Sequence, residues 1–397
     1  MVLTVPVEFI LLALTLAAVA VFHAQALRCA LVGLAAIVFW KLAVAGFKDG
    51  PGLAGLAAHA RHEWVILANL LLLLVSFALL ARHVEASGLP QVMPAILPGD
   101  WKGGFALLCI IFVLSAVLDN IAAALIGGTV AQRVFNGRVH LGYVAAIVAA
   151  SNAGGSGSVL GDTTTTMMWI AGISPWNVLD AYVAAVTALV VFGIPAALQQ
   201  DKLQPITKHA EKPMHVDRVR LGVVAIILST IVIANVVTNL YAPALLDRLP
   251  VLGLAVAAAT LATASLRRPD WHIVPEAAKG ALFLLALVAA ASLMPVDKLP
   301  APSWQTTLGL GFLSAVFDNI PLTALALKQG GYDWGMLAYA VGFGGSMLWF
   351  GSSAGIAISG LFPDARSAAA WVKASWYVPI AYVAGFAMLL ATLGWHP

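Results

Sequence analysis

Apolar runs separated by short polar stretches repeat along this chain from one end to the other. Residues 9–22, 31–45, 64–81, 221–240 and 281–293 are among the longest of these runs. A helix needs about 20 predominantly apolar residues to cross the hydrocarbon layer of a bilayer. The pattern therefore predicts an all-α polytopic membrane protein.

The polar stretch at residues 199–220 divides the chain into two halves and predicts its orientation. It carries five basic residues against three acidic ones, and a short loop with excess Lys and Arg stays on the cytoplasmic side. Counting outwards predicts five crossings in each half, at residues 5–22, 26–45, 64–81, 141–172 and 181–198 and at residues 221–240, 251–264, 278–293, 336–362 and 376–393. Both termini then lie outside, and residues 1–198 and 221–397 form inverted repeats.

An aspartate–asparagine pair occurs once in each half, inside an otherwise apolar stretch. The sequences Ser115-Ala-Val-Leu-Asp-Asn-Ile and Ser314-Ala-Val-Phe-Asp-Asn-Ile place Asp119-Asn120 and Asp318-Asn319 199 residues apart. The apolar arms around each pair are about 15 residues long, roughly 22 Å as a helix, which is short for a crossing. This predicts re-entrant hairpins at residues 101–135 and 304–327 with the polar pair at the tip. A single bent spanning helix is the alternative.

The two aspartates are candidate functional groups because a charge inside a membrane is costly and faces protein or water. A purely structural role is the alternative, since Asp and Asn are good helix N-caps and the second hairpin arm needs one. The two roles are compatible, because a capping aspartate at a hairpin tip still presents a carboxylate oxygen.

A glycine-rich polar break follows each predicted hairpin, within residues 141–172 and 336–362. Aligning Gly154-Gly155-Ser156 with Gly344-Gly345-Ser346 also aligns Gly161 with Gly351, and it places Asp162-Thr163 on Ser352-Ser353. Glycines allow a helix to unwind and a ligand to approach the backbone. Freed carbonyls can then hold a cation, and the N–H groups that begin a half-helix favour an anion.

Close helix packing is the alternative explanation for these small residues. Packing accounts for Gly-Gly-Ser, but it does not account for Asn152 or for Asp162 followed by four threonines. The two breaks also differ, because Gly342-Phe343 and Ser352-Ser353 stand where the first half has Asn152 and Asp162. We therefore predict one ion-rich site and one weaker site.

Composition agrees with a membrane protein and excludes several functions. Hydrophobic residues make up 61% and charged residues 10% of the 397 residues, whereas a soluble domain has roughly 25% charged residues. The net charge of +3 is too small to indicate nucleic-acid binding, and the chain has no phosphate-binding loop or metal-spaced His/Cys cluster. The first apolar segment has no basic residue before it, so we expect a retained helix rather than a cleaved signal peptide. The two cysteines are expected to be small core residues.

The motifs resemble the ion transporter superfamily that includes NhaD-type sodium/proton antiporters, ArsB-type arsenite permeases and citrate or dicarboxylate transporters. The most specific stretches are Leu118-Asp-Asn-Ile, Ser151-Asn-Ala-Gly-Gly, Gly161-Asp-Thr-Thr-Thr-Thr-Met-Met-Trp-Ile and Phe317-Asp-Asn-Ile-Pro-Leu-Thr-Ala. The resemblance is strongest to the NhaD type, which implies two hairpin-containing repeats, a mobile substrate-binding part and often a homodimer.

The resemblance also implies a set of ligands. Ion- or substrate-binding positions are expected at Asp119, Asn120, Ser151, Asn152, Gly154, Gly155, Asp162, Thr163, Asp318, Asn319, Gly345, Ser346, Ser352 and Ser353. Within this set, sodium ligands are expected at Asp119, Asn152, Asp162 and Asp318.

The function expected from these residues is exchange of sodium or lithium for protons, because carboxylates and neutral oxygens suit hard cations. The alternative is sodium- or proton-coupled symport of citrate or another carboxylate, with an arsenite-type permease a weaker third. Enzyme activity such as that of an intramembrane aspartyl hydrolase fits poorly, as does a purely structural role. We expect an integral protein of a bacterial inner membrane, with the lipid bilayer and a small ion as partners and with no cofactor beyond sodium and protons.

Overall fold

The computed structural model describes residues 5–22, 25–48, 50–207 and 216–397. Within these ranges the chain is helical and forms no β-strand, only an isolated bridge between Phe47 and Gly50. The centre of the predicted linker, residues 208–215 with Lys208 and Lys212, lies outside the described residues. The prediction of an all-α protein is confirmed for the described part.

The described residues form α1 (Val7–Val21), α2 (Ala26–Trp40), α3 (Gly52–Glu85), α4 (Leu89–Ile96), α5 (Trp101–Ser115), α6 (Asn120–Val134), α7 (Leu141–Ser156), α8 (Thr163–Ile170), α9 (Pro175–Leu179), α10 (Ala181–Leu203), α11 (Arg218–Tyr241), α12 (Val251–Thr263), α13 (Val274–Ser292), α14 (Trp304–Ser314), α15 (Asn319–Gln329), α16 (Trp334–Gly344), α17 (Ser353–Leu361), α18 (Ala368–Ala374) and α19 (Tyr377–Leu393). A π-helical turn, Lys41–Ala45, extends α2, and short 3-10 turns join several of the others.

Several of these helices are long and apolar enough to cross a membrane. Among the described residues five helical stretches qualify, namely Ala26–Ala45, Gly52–Glu85, Pro175–Leu203, Arg218–Tyr241 and Trp271–Ser292. A sixth is added if α18 and α19, which are bent by 63° at their junction, count as one span. Each of the five overlaps a crossing predicted from the sequence. The chain is therefore a polytopic membrane protein.

The remaining predicted crossings are shorter or interrupted helices. Two of them, α1 and α12, are apolar helices of 15 and 13 residues. The stretches at residues 141–172 and 336–362 are each divided into two helices, α7 with α8 and α16 with α17. The glycine-rich breaks expected in both stretches are thus present.

The chain forms two compact units, and each takes segments from both halves of the sequence. The first unit comprises Met1–Leu79, Ala225–Pro300 and Ile320–Gly330. Within it α2 packs against α1 and α13, and Lys41 forms an ion pair with Glu8 at 3.9 Å.

The second unit comprises Leu80–Val224, Ala301–Asn319 and Gly331–Pro397. Its centre is α7, in which every residue from 142 to 156 is buried. This helix packs against α5, α6, α10 and α16. A helix that is apolar on all sides is surrounded by other elements, so the polar residues near its C-terminal end are held inside the protein.

Candidate functional site

The two aspartate–asparagine pairs both lie at a break between helices. Helix α5 ends at Ser115 and α6 begins at Asn120, with Asp119 as its N-cap accepting a hydrogen bond from the Ile121 N–H at 3.2 Å. Helix α14 likewise ends before Asp318, and α15 begins at Asn319. Asp119 is half-buried, so its side chain stays partly exposed while it caps α6.

The glycine-rich breaks present a second pair of helix starts. Asp162 precedes α8 and Ser352 precedes α17. The Ser352 hydroxyl accepts from the Gly355 N–H at 3.2 Å and so caps its helix. The Asp162 side chain makes no capping bond, and Thr164 Oγ1 donates to its Oδ2 at 2.5 Å. The Asp162 carboxylate therefore accepts from a hydroxyl of its own helix, whereas Ser352 accepts from a backbone N–H.

A continuous hydrogen-bond network joins these breaks inside the second unit. Asn120 Nδ2 donates to Asn152 Oδ1 at 3.0 Å and to Asp162 Oδ1 at 3.3 Å. Asn152 Nδ2 in turn donates to the hydroxyls of Ser346 and Ser352 at 3.0 and 3.1 Å. All five side chains are buried, and Asp162 is only 3% exposed. The structure thus brings together residues from three of the four polar stretches.

The fourth stretch joins the site through Asp318. Ser353 Oγ donates to Asp318 Oδ2 at 3.2 Å, and Ser353 follows the Ser352 of the network. Asp162 interacts electrostatically with both Asp119 and Asp318. Electrostatic interaction therefore links Asp162 to each of the other two aspartates.

Positive charge is scarce around these acids. The sequence has no Lys, Arg or His at residues 103–132, 141–201, 299–327 or 329–365. Among the described residues neither Asp119 nor Asp162 forms an ion pair. A buried carboxylate without a basic partner must bind a proton or a cation to avoid a large desolvation cost.

Matching contacts hold the two breaks in place. Ser115 Oγ donates to the Ser151 carbonyl at 2.6 Å, and Ser314 Oγ donates to the Val341 carbonyl at 2.7 Å. Likewise Gly154 lies on the Phe112 backbone, and Gly344 lies on the Gly311 backbone. These contacts follow the sequence alignment of the two halves, so the local geometry is duplicated as well as the motif.

We expect Gly161→Ala to damage the first break. A Cβ at Gly161 would overlap the Ser115 carbonyl oxygen, and overpacking of this kind costs about 1–3 kcal/mol. Thermal unfolding of the purified protein in detergent should therefore begin at a lower temperature. Gly360→Ala is the matched control, because a Cβ at Gly360 in α17 meets nothing within 4 Å. Equal unfolding temperatures for the two variants would contradict the close packing at Gly161.

Other predicted site residues take supporting positions. The Ser151 hydroxyl bonds to the Val148 carbonyl, and Thr163 is the buried first residue of α8. Gly155 and Gly345 lie against the backbones of Gly161 and Gly351. Asn319 is buried at the start of α15. These residues lie in or beside the two pairs of helix breaks.

Two residues at the site were not predicted. Thr164 holds the Asp162 carboxylate, and its spacing two residues after an N-cap aspartate was the available signal. Gly342 lies against Asp162, and its alignment with Asn152 was the available signal. Among the described residues no three His, Cys, Asp or Glu side chains are arranged to hold one metal ion.

Buried polar sites at interrupted helices of polytopic membrane proteins are a feature of secondary transporters. No protein-family model matches the chain. It is similar to the Na+/H+ antiporter NhaD of Vibrio parahaemolyticus, with 27% identity over 388 residues, 82% of this chain and 91% of the relative. It is also similar to the NhaD of Alkalimonas amylolytica, with 28% identity over 66% of this chain and 62% of the relative.

A plant protein is similar as well. Sodium/proton antiporter 1 of Arabidopsis thaliana is 29% identical over 339 residues, or 75% of this chain. That match spans little more than half of the plant relative, 56% of its length. The resemblance to NhaD-type sodium/proton antiporters that the motifs indicated is therefore confirmed.

Proposed function

We propose that this protein exchanges sodium or lithium ions for protons across the membrane, and that Asp162 is the central ion-binding carboxylate. The observation that carries the proposal is the burial of Asp162 within an amide and hydroxyl network without a basic partner. The names of the relatives, sodium/proton antiporters, support the same function.

The chemistry of antiport follows from competition at the carboxylate. A protonated Asp162 is neutral and is stable in a buried site without a cation. When the proton leaves, the charge requires a small cation, and oxygen ligands suit hard ions such as sodium and lithium. A proton and a cation cannot occupy one carboxylate together, so the protonated form and the cation-bound form are the two stable ones. Movement of the site across the membrane in these two forms couples cation transport to proton transport in the opposite direction.

We also propose that residues 1–198 and 221–397 are inverted repeats and that α5 with α6 and α14 with α15 form re-entrant hairpins. In this arrangement the linker is cytoplasmic and both termini lie outside. The duplicated contacts of Ser115 and Ser314 support the repeat, and the basic residues of the linker support the orientation. We further propose that the protein lies in a bacterial inner membrane and assembles as a homodimer.

Proteoliposomes that contain a pH-sensitive dye test the proposed activity. We expect proton movement after addition of sodium or lithium chloride and little after potassium chloride. The same vesicles are then given labelled citrate or succinate together with sodium. If the cations cause no proton movement and the labelled carboxylate is taken up, the function is coupled anion transport instead of antiport. The same acids would then hold the coupling ion.

The other two aspartates should contribute less than Asp162 but measurably. We expect Asp119→Asn and Asp318→Asn each to lower exchange by about tenfold, the equivalent of 1.4 kcal/mol, because each changes the field at Asp162. Membrane insertion should be unchanged. The measurement is initial proton flux per milligram of reconstituted protein.

Asp180→Asn is the control for this pair, since Asp180 is an exposed residue next to the start of α10. Its exchange rate should equal that of the unmodified protein. A normal rate in Asp119→Asn or Asp318→Asn would remove that aspartate from the mechanism.

A further inference from the structure

Helix α16 ends in the second glycine-rich break, where a tryptophan from another part of the chain holds its end. Trp371 Nε1 donates a hydrogen bond to the Ser346 carbonyl at 3.3 Å. Trp371 lies in α18 and is completely buried. Ser346 belongs to the 3-10 turn that continues α16, and the last carbonyls of a helix lack partners inside the helix. The indole N–H therefore supplies a partner that the end of this helix needs.

A tyrosine holds the end of α7 in the same way. The Tyr182 hydroxyl donates to the Gly154 carbonyl at 3.1 Å, and Gly154 lies in the last turn of α7. The ring of Tyr182 covers Gly157, where a Cβ would lie 2.6 Å from the ring atoms. Tyr182 comes from α10 and Trp371 from α18, so each donor belongs to a helix that follows the break it holds. All of these residues lie in the second unit.

Both contacts act on the residues that join the two breaks. Asn152 lies two positions before Gly154 in α7 and donates to the Ser346 hydroxyl at 3.0 Å. One aromatic donor therefore holds the backbone of the residue that accepts this bond, and the other holds the helix that carries Asn152. A hydrogen bond weakens steeply as its geometry departs from the ideal, so a shift of either helix end weakens this contact.

We propose that Trp371 and Tyr182 are positioning residues of the exchange site. They hold the ends of α16 and α7 where Asn152 reaches both Ser346 and Ser352, and they thereby set the affinity of the site for sodium or lithium. The proposal rests on the antiport function proposed above. Neither residue lies in the four polar stretches from which the site was predicted.

Preorganisation is the physical reason for an effect on affinity. Asn152 accepts from Asn120, whose amide nitrogen also donates to Asp162, so a displacement of Asn152 is passed on to the carboxylate. A site whose groups are already held in the binding geometry has a smaller entropy cost of ordering them when the ion enters. Loss of either aromatic donor should therefore weaken cation binding, although the carboxylate that exchanges the ions is retained.

The sequence repeat supplies a matched control. The stretch Ala181-Tyr182-Val183-Ala184 recurs 200 residues later as Ala381-Tyr382-Val383-Ala384. The Tyr382 hydroxyl donates at 2.8 Å to the Leu308 carbonyl, which lies in the middle of α14 and outside the glycine-rich breaks. Tyr382 is thus equivalent to Tyr182 in the sequence, but its hydroxyl does not hold the end of a helix at the site.

Tyr182→Phe and Tyr382→Phe each remove one hydroxyl and keep the ring, so together they separate positioning from stability. In proteoliposomes we expect Tyr182→Phe to raise the sodium concentration for half-maximal proton flux about fivefold, the effect of one lost hydrogen bond. Its maximal flux should stay within about twofold of that of the unmodified protein, because a change confined to binding leaves the maximal rate unaltered. Tyr382→Phe should lower the unfolding temperature in detergent to a similar extent and leave the half-maximal sodium concentration unchanged.

Trp371→Phe tests the second donor. It removes the indole N–H and keeps an aromatic ring, and we expect the half-maximal sodium concentration to rise about fivefold here as well. Trp376→Phe is its control, because Trp376 is 54% exposed at the start of α19, and its half-maximal sodium concentration should be normal. Tyr182→Phe, which removes a single oxygen atom, keeps the proposal testable if Trp371→Phe does not fold.

The outcomes separate this proposal from the proposed function. An unchanged half-maximal sodium concentration in Tyr182→Phe or in folded Trp371→Phe would make that residue structural and overturn its positioning role, with antiport left standing. An equal rise in Tyr382→Phe would also overturn the proposal, because general loosening of the unit would then explain the effect. Absence of sodium-driven proton movement in the unmodified protein would instead overturn the antiport function, and the positioning roles with it.

Discussion

Asp162→Asn is expected to lower the rate of sodium-driven proton movement at least about a hundredfold, the equivalent of 2.7 kcal/mol. The substitution keeps the size of the side chain and one oxygen acceptor for the Thr164 hydroxyl, which donates to Asp162 at 2.5 Å. It removes the negative charge that attracts the cation and the group that carries the proton. The measurement is dye-reported proton flux in proteoliposomes after a sodium pulse.

The fold of this variant should survive, because an uncharged side chain is cheaper to bury than a carboxylate. Its unfolding temperature is therefore expected to equal or exceed that of the unmodified protein. Asp180→Asn, the exposed control, should retain full flux. If Asp162→Asn kept more than about half of the proton flux, instead of about a hundredth or less, the transported ions would have to bind elsewhere.

Lowering the pH by one unit is expected to raise the sodium concentration for half-maximal binding about tenfold, as linkage requires when one proton and one cation compete for a single group. The sign follows from the competition. Protons occupy the carboxylate at low pH and weaken sodium binding, and the dependence levels off at high pH once the proton has left. Radioactive sodium binding to the purified protein over a series of pH values measures this slope.

The neighbouring acids shape the pH dependence. Because Asp162 interacts with Asp119 and Asp318, the apparent titration belongs to the group of acids and not to one residue. Asp119→Asn should therefore move the pH at which the slope begins without changing its size. A sodium affinity that is independent of pH would contradict a shared binding group and would favour separate proton and sodium sites.

The local sequence predicted the helix breaks well because polar and charged residues are costly in a membrane interior and are therefore rare there. The break predicted at the polar pair within residues 101–135 lies between α5 and α6, which end and begin on either side of Asp119. The predicted interrupted helix at 141–172 corresponds to α7 and α8, with Asp162 in the break. Glycine and proline content, capping residues and charge cost are all local properties, and they are sufficient for these assignments.

The contacts between distant residues of the site could not be predicted from the local sequence. Asn152 binds Ser346 and Ser352, which lie 194 and 200 residues away in the sequence. Helix α7 is buried on all sides, so its apolar pattern indicates no preferred face and no crossing partner. The division of the chain into two units that each combine segments of both halves is likewise not visible in any local pattern.

The sequence by itself determined that this is a membrane protein with an aspartate–asparagine pair in each half and four polar interruptions. Charge and broken backbone are costly in hydrocarbon, so residues of these types stand out against the apolar segments. Only the tertiary structure decided that Asn120, Asn152 and Asp162 form one network and that Gly342 faces Asp162. The physical reason is that these contacts depend on how α7 and α16 cross, and helix crossing is set by packing over the whole unit.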